Sequence, residues 1–176
     1  MMSEFYLREL SRDDIKVINK WRNDRGIISS LGAPFRYISE EVDSAWMESY
    51  LASRSNCVRL AICERASNKI VGAVYLLSID WVVRDCEFAI WIGERDFQGR
   101  GVGSFATYKA LEHAFLDLNL NRVYLAVIEN NDRAIAVYKK SGFTVEGVQR
   151  QAVFKEGVYL DVVQMSILAS EFKVLE

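Results

Sequence analysis

The stretch Gln98-Gly99-Arg100-Gly101-Val102-Gly103 constrains this chain more than any other. It follows the apolar run Phe88-Ala89-Ile90-Trp91-Ile92 and leads into a helix-like segment from Phe105 to Leu118. Glycine at alternate positions between a strand and a helix lets the backbone curl until several N–H groups converge on one point. That point lies at the positive end of a helix dipole, which suits a phosphate or pyrophosphate. Many phosphate-binding folds own such a turn, so its meaning depends on what surrounds it.

With 176 residues, 51% of them apolar, and a single proline, the sequence is expected to form one domain over residues 1–176 with a sizeable core. A net charge of −2 without a long run of either sign speaks against a nucleic-acid groove and a polybasic membrane patch. Cys57, Cys63 and Cys86 are odd in number and lack Cys-x-x-Cys spacing, so neither a disulfide framework nor a zinc site is expected. They read as small buried hydrophobes in a reducing cytoplasm. The N-terminal Met1-Met2-Ser3-Glu4-Phe5 has no basic and apolar leader pattern, and no apolar run reaches the ~18 residues of a membrane span.

Alternation and capping signals give the element order. Phe5 to Leu10 reads as a strand, and Ser11 to Asp14 starts a helix running to about Asn23. Gly26 to Ile38 is irregular, and Ser39 caps a second helix to about Ser53. Strands follow at Val58–Glu64, Ile70–Ile79 and Cys86–Ile92, then the glycine turn and its helix. Arg122–Ile128 is a strand, Asn131 caps a helix through Lys140 with Gly142 as its C′ residue, and Phe143–Val148 and Tyr159–Leu168 are the last strands. Hairpins in the first half and a helical crossover in the second imply an α+β fold, a mixed sheet flanked by helices.

Downstream of the glycine turn runs Asn131-Asp132-Arg133-Ala134-Ile135-Ala136-Val137-Tyr138-Lys139-Lys140-Ser141-Gly142-Phe143. Gln98-x-x-Gly101-x-Gly103 and Asn131-x-x-Ala134-x-x-x-Tyr138-x-x-x-Gly142-Phe143, in that order, resemble the two cofactor motifs of the GNAT superfamily of acetyl-CoA-dependent N-acetyltransferases. Leu7-Arg8-Glu9-Leu10, Asp13-Asp14, Trp21-Arg22-Asn23 and Gly157-x-Tyr159-x-Asp161 extend the likeness over nearly the whole chain. They resemble the branch holding ribosomal-protein N-terminal (RimJ/RimL-like) and spermidine acetyltransferases, whose architecture amino-sugar acetyltransferases share.

The resemblance implies a mostly antiparallel sheet of about seven strands, with a splayed strand pair forming an acetyl-CoA cleft. It implies direct attack of a primary amine in a ternary complex, with no metal. The pantetheine arm would meet the backbone of Ile90, Trp91 and Ile92, and the pyrophosphate the amides of Gln98, Gly99, Arg100, Gly101, Val102, Gly103 and Ser104. Asn131 would contact the pantetheine arm or serve only as a helix cap. Tyr138 would donate a proton to the leaving thiolate, or be a core aromatic with its hydroxyl at the surface. Glu87 is the candidate general base, its pKa raised by partial burial, or an outward-facing strand residue. His113, the only histidine, falls well past the turn and reads as structural or solvent-exposed.

For the acceptor, the resemblance nominates the first two helices and the last hairpin. Trp21, Arg22, Phe35, Glu41, Tyr159 and Asp161 are the candidates, with Asn23, Tyr37, Arg150 and Phe154 beside them. Trp21 as core, Glu41 as dipole compensation and an Asp161–Arg150 ion pair are the structural alternatives. A protein N-terminus, a polyamine and a nucleotide-linked amino sugar stay open as acceptors: Glu40, Glu41 and Asp43 would form an acidic rim for a polyamine, Arg22 a phosphate contact. A non-catalytic acetyl-CoA sensor is the alternative to an enzyme, and Trp46, Tyr50 and Trp81 are a candidate homodimer surface.

Overall fold

The computed structural model describes residues 3–174. Its framework is a seven-stranded sheet made of β1 (Phe5–Glu9), β2 (Val58–Glu64), β3 (Ile70–Asp80), β4 (Asp85–Ile92), β5 (Arg122–Ile128), β6 (Thr144–Lys155) and β7 (Val158–Leu168). The spatial order is β1-β2-β3-β4-β5-β7-β6. Every neighbouring pair is antiparallel except β4 and β5, which the intervening helix makes parallel. The helices are α1 (Ile15–Arg22), α2 (Arg25–Ile28), α3 (Glu40–Ala52), α4 (Val102–Glu112) and α5 (Asp132–Lys140).

Strand alternation sends side chains to two cores. On one face α4 and α5 cover Ile62, Val74, Leu76, Phe88, Val123, Leu125, Met165 and Ile167. On the other, α1 and α3 bring Ile15, Ile18, Trp21, Met47 and Tyr50 onto Ala61 and Cys63. The start of α1 is fixed by buried Asp14, which takes two hydrogen bonds from Arg8 at 2.8 and 2.7 Å and one from the Ser11 N–H at 2.8 Å.

Some boundaries differ from the sequence reading. The segment after Asn23 contains α2, whose first N–H groups are capped by Asp24. The helix after the glycine turn ends in a π-helical turn, His113–Asp117, instead of running regularly to Leu118. The last hairpin is longer than expected, because β6 continues past Val148 to Lys155 across an irregularity between Gln149 and Val153. Polar residues there gave no strand signal; pairing with β7 imposes the extension. The proposed dimer aromatics scatter: Tyr50 is core, Trp46 faces the cleft described below, and Trp81 is half exposed.

Candidate active site

β4 and β5 pair only at Asp85↔Arg122, Cys86↔Val123 and Glu87↔Tyr124. Beyond these, β4 keeps its bonds to β3 as far as Ile92, and β5 keeps its bonds to β7 as far as Ile128. The sheet therefore opens into a V, and the β4 backbone from Phe88 onwards has no strand on that side. The opening is the floor of a cleft of about 870 Å³, lined along β4 from Glu87 to Ile92.

The glycine turn closes one end. Gly99 and Gly101 sit at φ 86° and 80°, a region where a side chain is strained. Gln98 braces the turn by donating from its amide to the Ile92 carbonyl at 3.5 Å. No side chain caps α4, and Phe105 is the first residue whose N–H bonds back, to the Gly101 carbonyl at 3.0 Å. The N–H groups at the start of α4 are thus left for a ligand. Arg100 turns its side chain outward, onto Glu4 and over the Phe97 ring. Arg133 replaces it: its guanidinium reaches within 3.5 Å of where a Cβ on Gly99 would stand.

These features fit a diphosphate on a long arm. A Cβ on Gly103 would meet nothing within 4 Å, yet Gly103 lines the cleft, so the missing side chain keeps helix N–H groups accessible. Thr107, one turn further along α4, has a fully buried hydroxyl with no partner and also faces the cleft. An anion-binding end beside a strand with free backbone groups is what the pyrophosphate and pantetheine parts of acetyl-CoA require.

Tyr138 projects from α5 into the cleft, stacked edge-on against Phe88 with ring centroids 5.9 Å apart. Burial pushes its phenol up to about 12, so the hydroxyl keeps its proton at neutral pH. Asn131 does two things at once: its Oδ1 accepts from the Ala134 N–H at 3.2 Å, capping α5, and its Nδ2 donates to the Ser30 carbonyl at 3.0 Å. Ser30 through Ala33 form part of the cleft wall. Lys155, buried at the end of β6, ties the same segment down through the Ile28 carbonyl at 2.6 Å. Glu87 lines the cleft at the apex of the V and has no hydrogen-bond or ion-pair partner among the described residues.

The other end of the cleft is walled by Ile18, Arg22, Trp46, Arg59, Tyr75 and Trp91. Of the residues nominated for the acceptor, only Arg22 is among those lining the cleft, and it is held by Asp43. Trp21 is 1% exposed, edge-on to Trp91 at 5.5 Å, and donates to Glu94 at 3.0 Å, which makes it core. Phe35 packs under the Arg25 guanidinium at 4.1 Å. Exposed Glu41 stands in the first turn of α3, whose cap is Ser39. Tyr159 stacks on Phe154 at 4.9 Å on the outer hairpin. Asp161 makes no ion pair with Arg150; it accepts the Gln151 N–H at 2.7 Å and clips the irregularity in β6. Of the acidic rim, Asp43 is fully buried on Arg22 and Asn19, while Glu40 and Glu41 are exposed and do not line the cleft.

Arg59, Tyr75, Trp46 and Arg133 were not found from the sequence. Arg59 and Tyr75 are brought together by strand register, Arg59↔Tyr75, which no local pattern reveals. Arg133 lies inside the second cofactor motif, one residue before Ala134, and its charge was the available signal. Among the described residues no group of acidic, histidine and cysteine side chains could hold a metal ion, and no helix is long and apolar enough to cross a membrane.

Comparison with known proteins places this geometry. The family model for the acetyltransferase (GNAT) domain matches residues 4–144. The chain is 32% identical over 173 residues to the spermidine N(1)-acetyltransferase of Vibrio cholerae serotype O1, covering 98% of this chain and 97% of that one. It is 33% identical over 104 residues to the putative ribosomal N-acetyltransferase YdaF of Bacillus subtilis, 59% of this chain and 56% of that one. The crystal structure of spermidine N-acetyltransferase from Vibrio cholerae in complex with CoA and spermine matches with a TM-score of 0.89 and 30% identity, over 97% of this chain and 98% of that one.

Proposed function

The chain belongs to the GNAT acetyltransferase family and is an acetyl-CoA-dependent N-acetyltransferase of amines, and from that premise we propose how its own side chains divide the work. The observation that carries the reading is the parting of β4 from β5 directly after Glu87, between a glycine-rich helix start and Tyr138. The start of α4 and Arg133 bind the diphosphate of acetyl-CoA, and the free β4 backbone from Ile90 to Ile92 binds its pantetheine arm. Acetyl-CoA supplies the activated acyl group.

Glu87 accepts the proton that an ammonium must lose before it can attack, because among the described residues it is the one carboxylate lining the cleft and has no competing partner. Backbone N–H groups of β4 stabilise negative charge developing on the acyl oxygen, since a fixed dipole in a closed cleft needs little reorganisation. The Tyr138 hydroxyl hands a proton to the departing sulfur. Its high pKa keeps that proton in place until sulfur becomes the stronger base in a dry setting.

A non-catalytic sensor would need the diphosphate end but neither Glu87 nor Tyr138 in the cleft, and the presence of both favours an enzyme. Thiol release from acetyl-CoA with a panel of primary amines tests this. Glu87→Gln is expected to cut turnover about 10²-fold or more while acetyl-CoA binding is kept. Turnover equal to wild type in that variant removes Glu87 from the reaction.

A further inference from the structure

At the acceptor end, two unpaired charges of opposite sign face one cleft. Arg59 lines it with its guanidinium 4.8 Å from the Trp46 ring centroid, 5.7 Å from Tyr50 and 5.0 Å from Tyr75. This guanidinium has no carboxylate and no hydrogen-bond acceptor among the described residues, and its Nε is buried without a partner. An aromatic box usually receives a cation from outside; here the protein's own arginine fills it. Arg22, also at this end, is neutralised by buried Asp43. What is left facing an acceptor is one positive group, Arg59, and one negative group, Glu87.

Register places both on the same face. Arg59 pairs with Tyr75 and Tyr75 with Ala89, two residues from Glu87, so alternation points Arg59, Tyr75, Ala89 and Glu87 alike. Their backbone positions lie two strands and two residues apart, ~12 Å, and long side chains shorten the gap between the charged ends. A polycation would find its second charge opposed by Arg59. An amine that carries an anion several bonds away satisfies both groups, and it gives the unpartnered guanidinium an acceptor.

We propose that the acceptor is a primary amine bearing a carboxylate or phosphate, with Arg59 binding the anion while Glu87 receives the amine. The proposal rests on the acetyl-transfer reading and narrows its substrate class. Discrimination follows from charge: the anionic acceptor gains a charge-assisted contact, and an uncharged analogue of the same length leaves the guanidinium unpaired.

Matched acceptors test it by thiol release: 6-aminohexanoate against its amide, glucosamine 6-phosphate against glucosamine, and spermidine. Wild type is expected to favour the anionic member of a pair by about 10-fold or more in kcat/KM. Which pair shows the larger ratio separates carboxylate from phosphate. Arg59→Gln is expected to bring that ratio near one through the anionic member alone, with KM for acetyl-CoA unchanged, and Arg59→Lys to restore part of it. The wild-type ratios stand by themselves should the glutamine variant fold poorly. Turnover of spermidine above both anionic amines, or an undiminished ratio in Arg59→Gln, overturns the proposal while acetyl transfer stands. No thiol release with any of the five amines overturns both.

Discussion

Tyr138 is claimed by two roles, and its geometry is compatible with both. Its ring is 8% exposed and packs on Phe88 and Phe143, as a core aromatic does, while its hydroxyl faces the cleft without a partner among the described residues. Tyr138→Phe keeps the ring and removes only the proton donor. It is expected to lower kcat about 10²-fold with little change in acetyl-CoA affinity or melting temperature. Because burial lifts the phenol to about 12, the group stays protonated at every pH below that value. Any fall in wild-type activity between pH 8 and 10 then has another origin and should persist in the fraction of activity left to Tyr138→Phe. Residual turnover equal to wild type would return Tyr138 to a packing role. Tyr138 could be read in the sequence because it stands at fixed spacing from Asn131 and Gly142 on one helix. Arg59 could not, because its partners Trp46, Tyr50 and Tyr75 arrive from another helix and another strand. Trp21, offered as an acceptor contact or as core, is core: the stripe formed with Ile18 turns its ring inward.

At the scale of elements, Asn131 couples the start of α5 to the wall of the cleft. Its side chain caps the helix and makes a second bond, to Ser30, that joins the second motif to the segment after α2. The two functions separate by substitution. Asn131→Ala removes both and is expected to cost about 1 kcal/mol through the lost cap, lowering the melting temperature by roughly 2–4 °C. Asn131→Asp keeps an acceptor at the helix start, where a negative charge is also favoured, but has no amide to give Ser30. Near wild-type melting with a KM for the amine raised about 2- to 10-fold is the expected outcome there. Equal losses of stability in both variants would mean that the Ser30 bond matters to folding and not to the cleft wall. The capping half was legible because it is local. The other half spans about a hundred residues of chain and needed the fold.

For the whole molecule, the decisive feature is an interruption. The sheet is continuous through β1 to β4 and again through β5, β7 and β6, and three residue pairs join the two parts. The helical crossover was visible in the placement of α4 between two strands; the early end of pairing was expected only from the family resemblance, since both strands read as apolar to their last residues. A ligand in the gap contacts both parts and is absent from the unfolded chain, so it stabilises by mass action. CoA at a hundred times its dissociation constant should add about 2.7 kcal/mol, which for a chain of this size raises melting by roughly 5–10 °C. The diphosphate end should supply much of that through the start of α4 and Arg133. Arg133→Ala is then expected to weaken CoA about 10-fold, and at the same CoA concentration to halve the shift to about 1.4 kcal/mol, without altering melting of the free protein. Added salt should shrink the wild-type shift more than that of the variant, because the charge it screens is already gone from the latter. A full shift in Arg133→Ala would move the anionic end of the ligand away from the glycine turn, and with it the orientation on which the roles of Glu87 and Tyr138 depend.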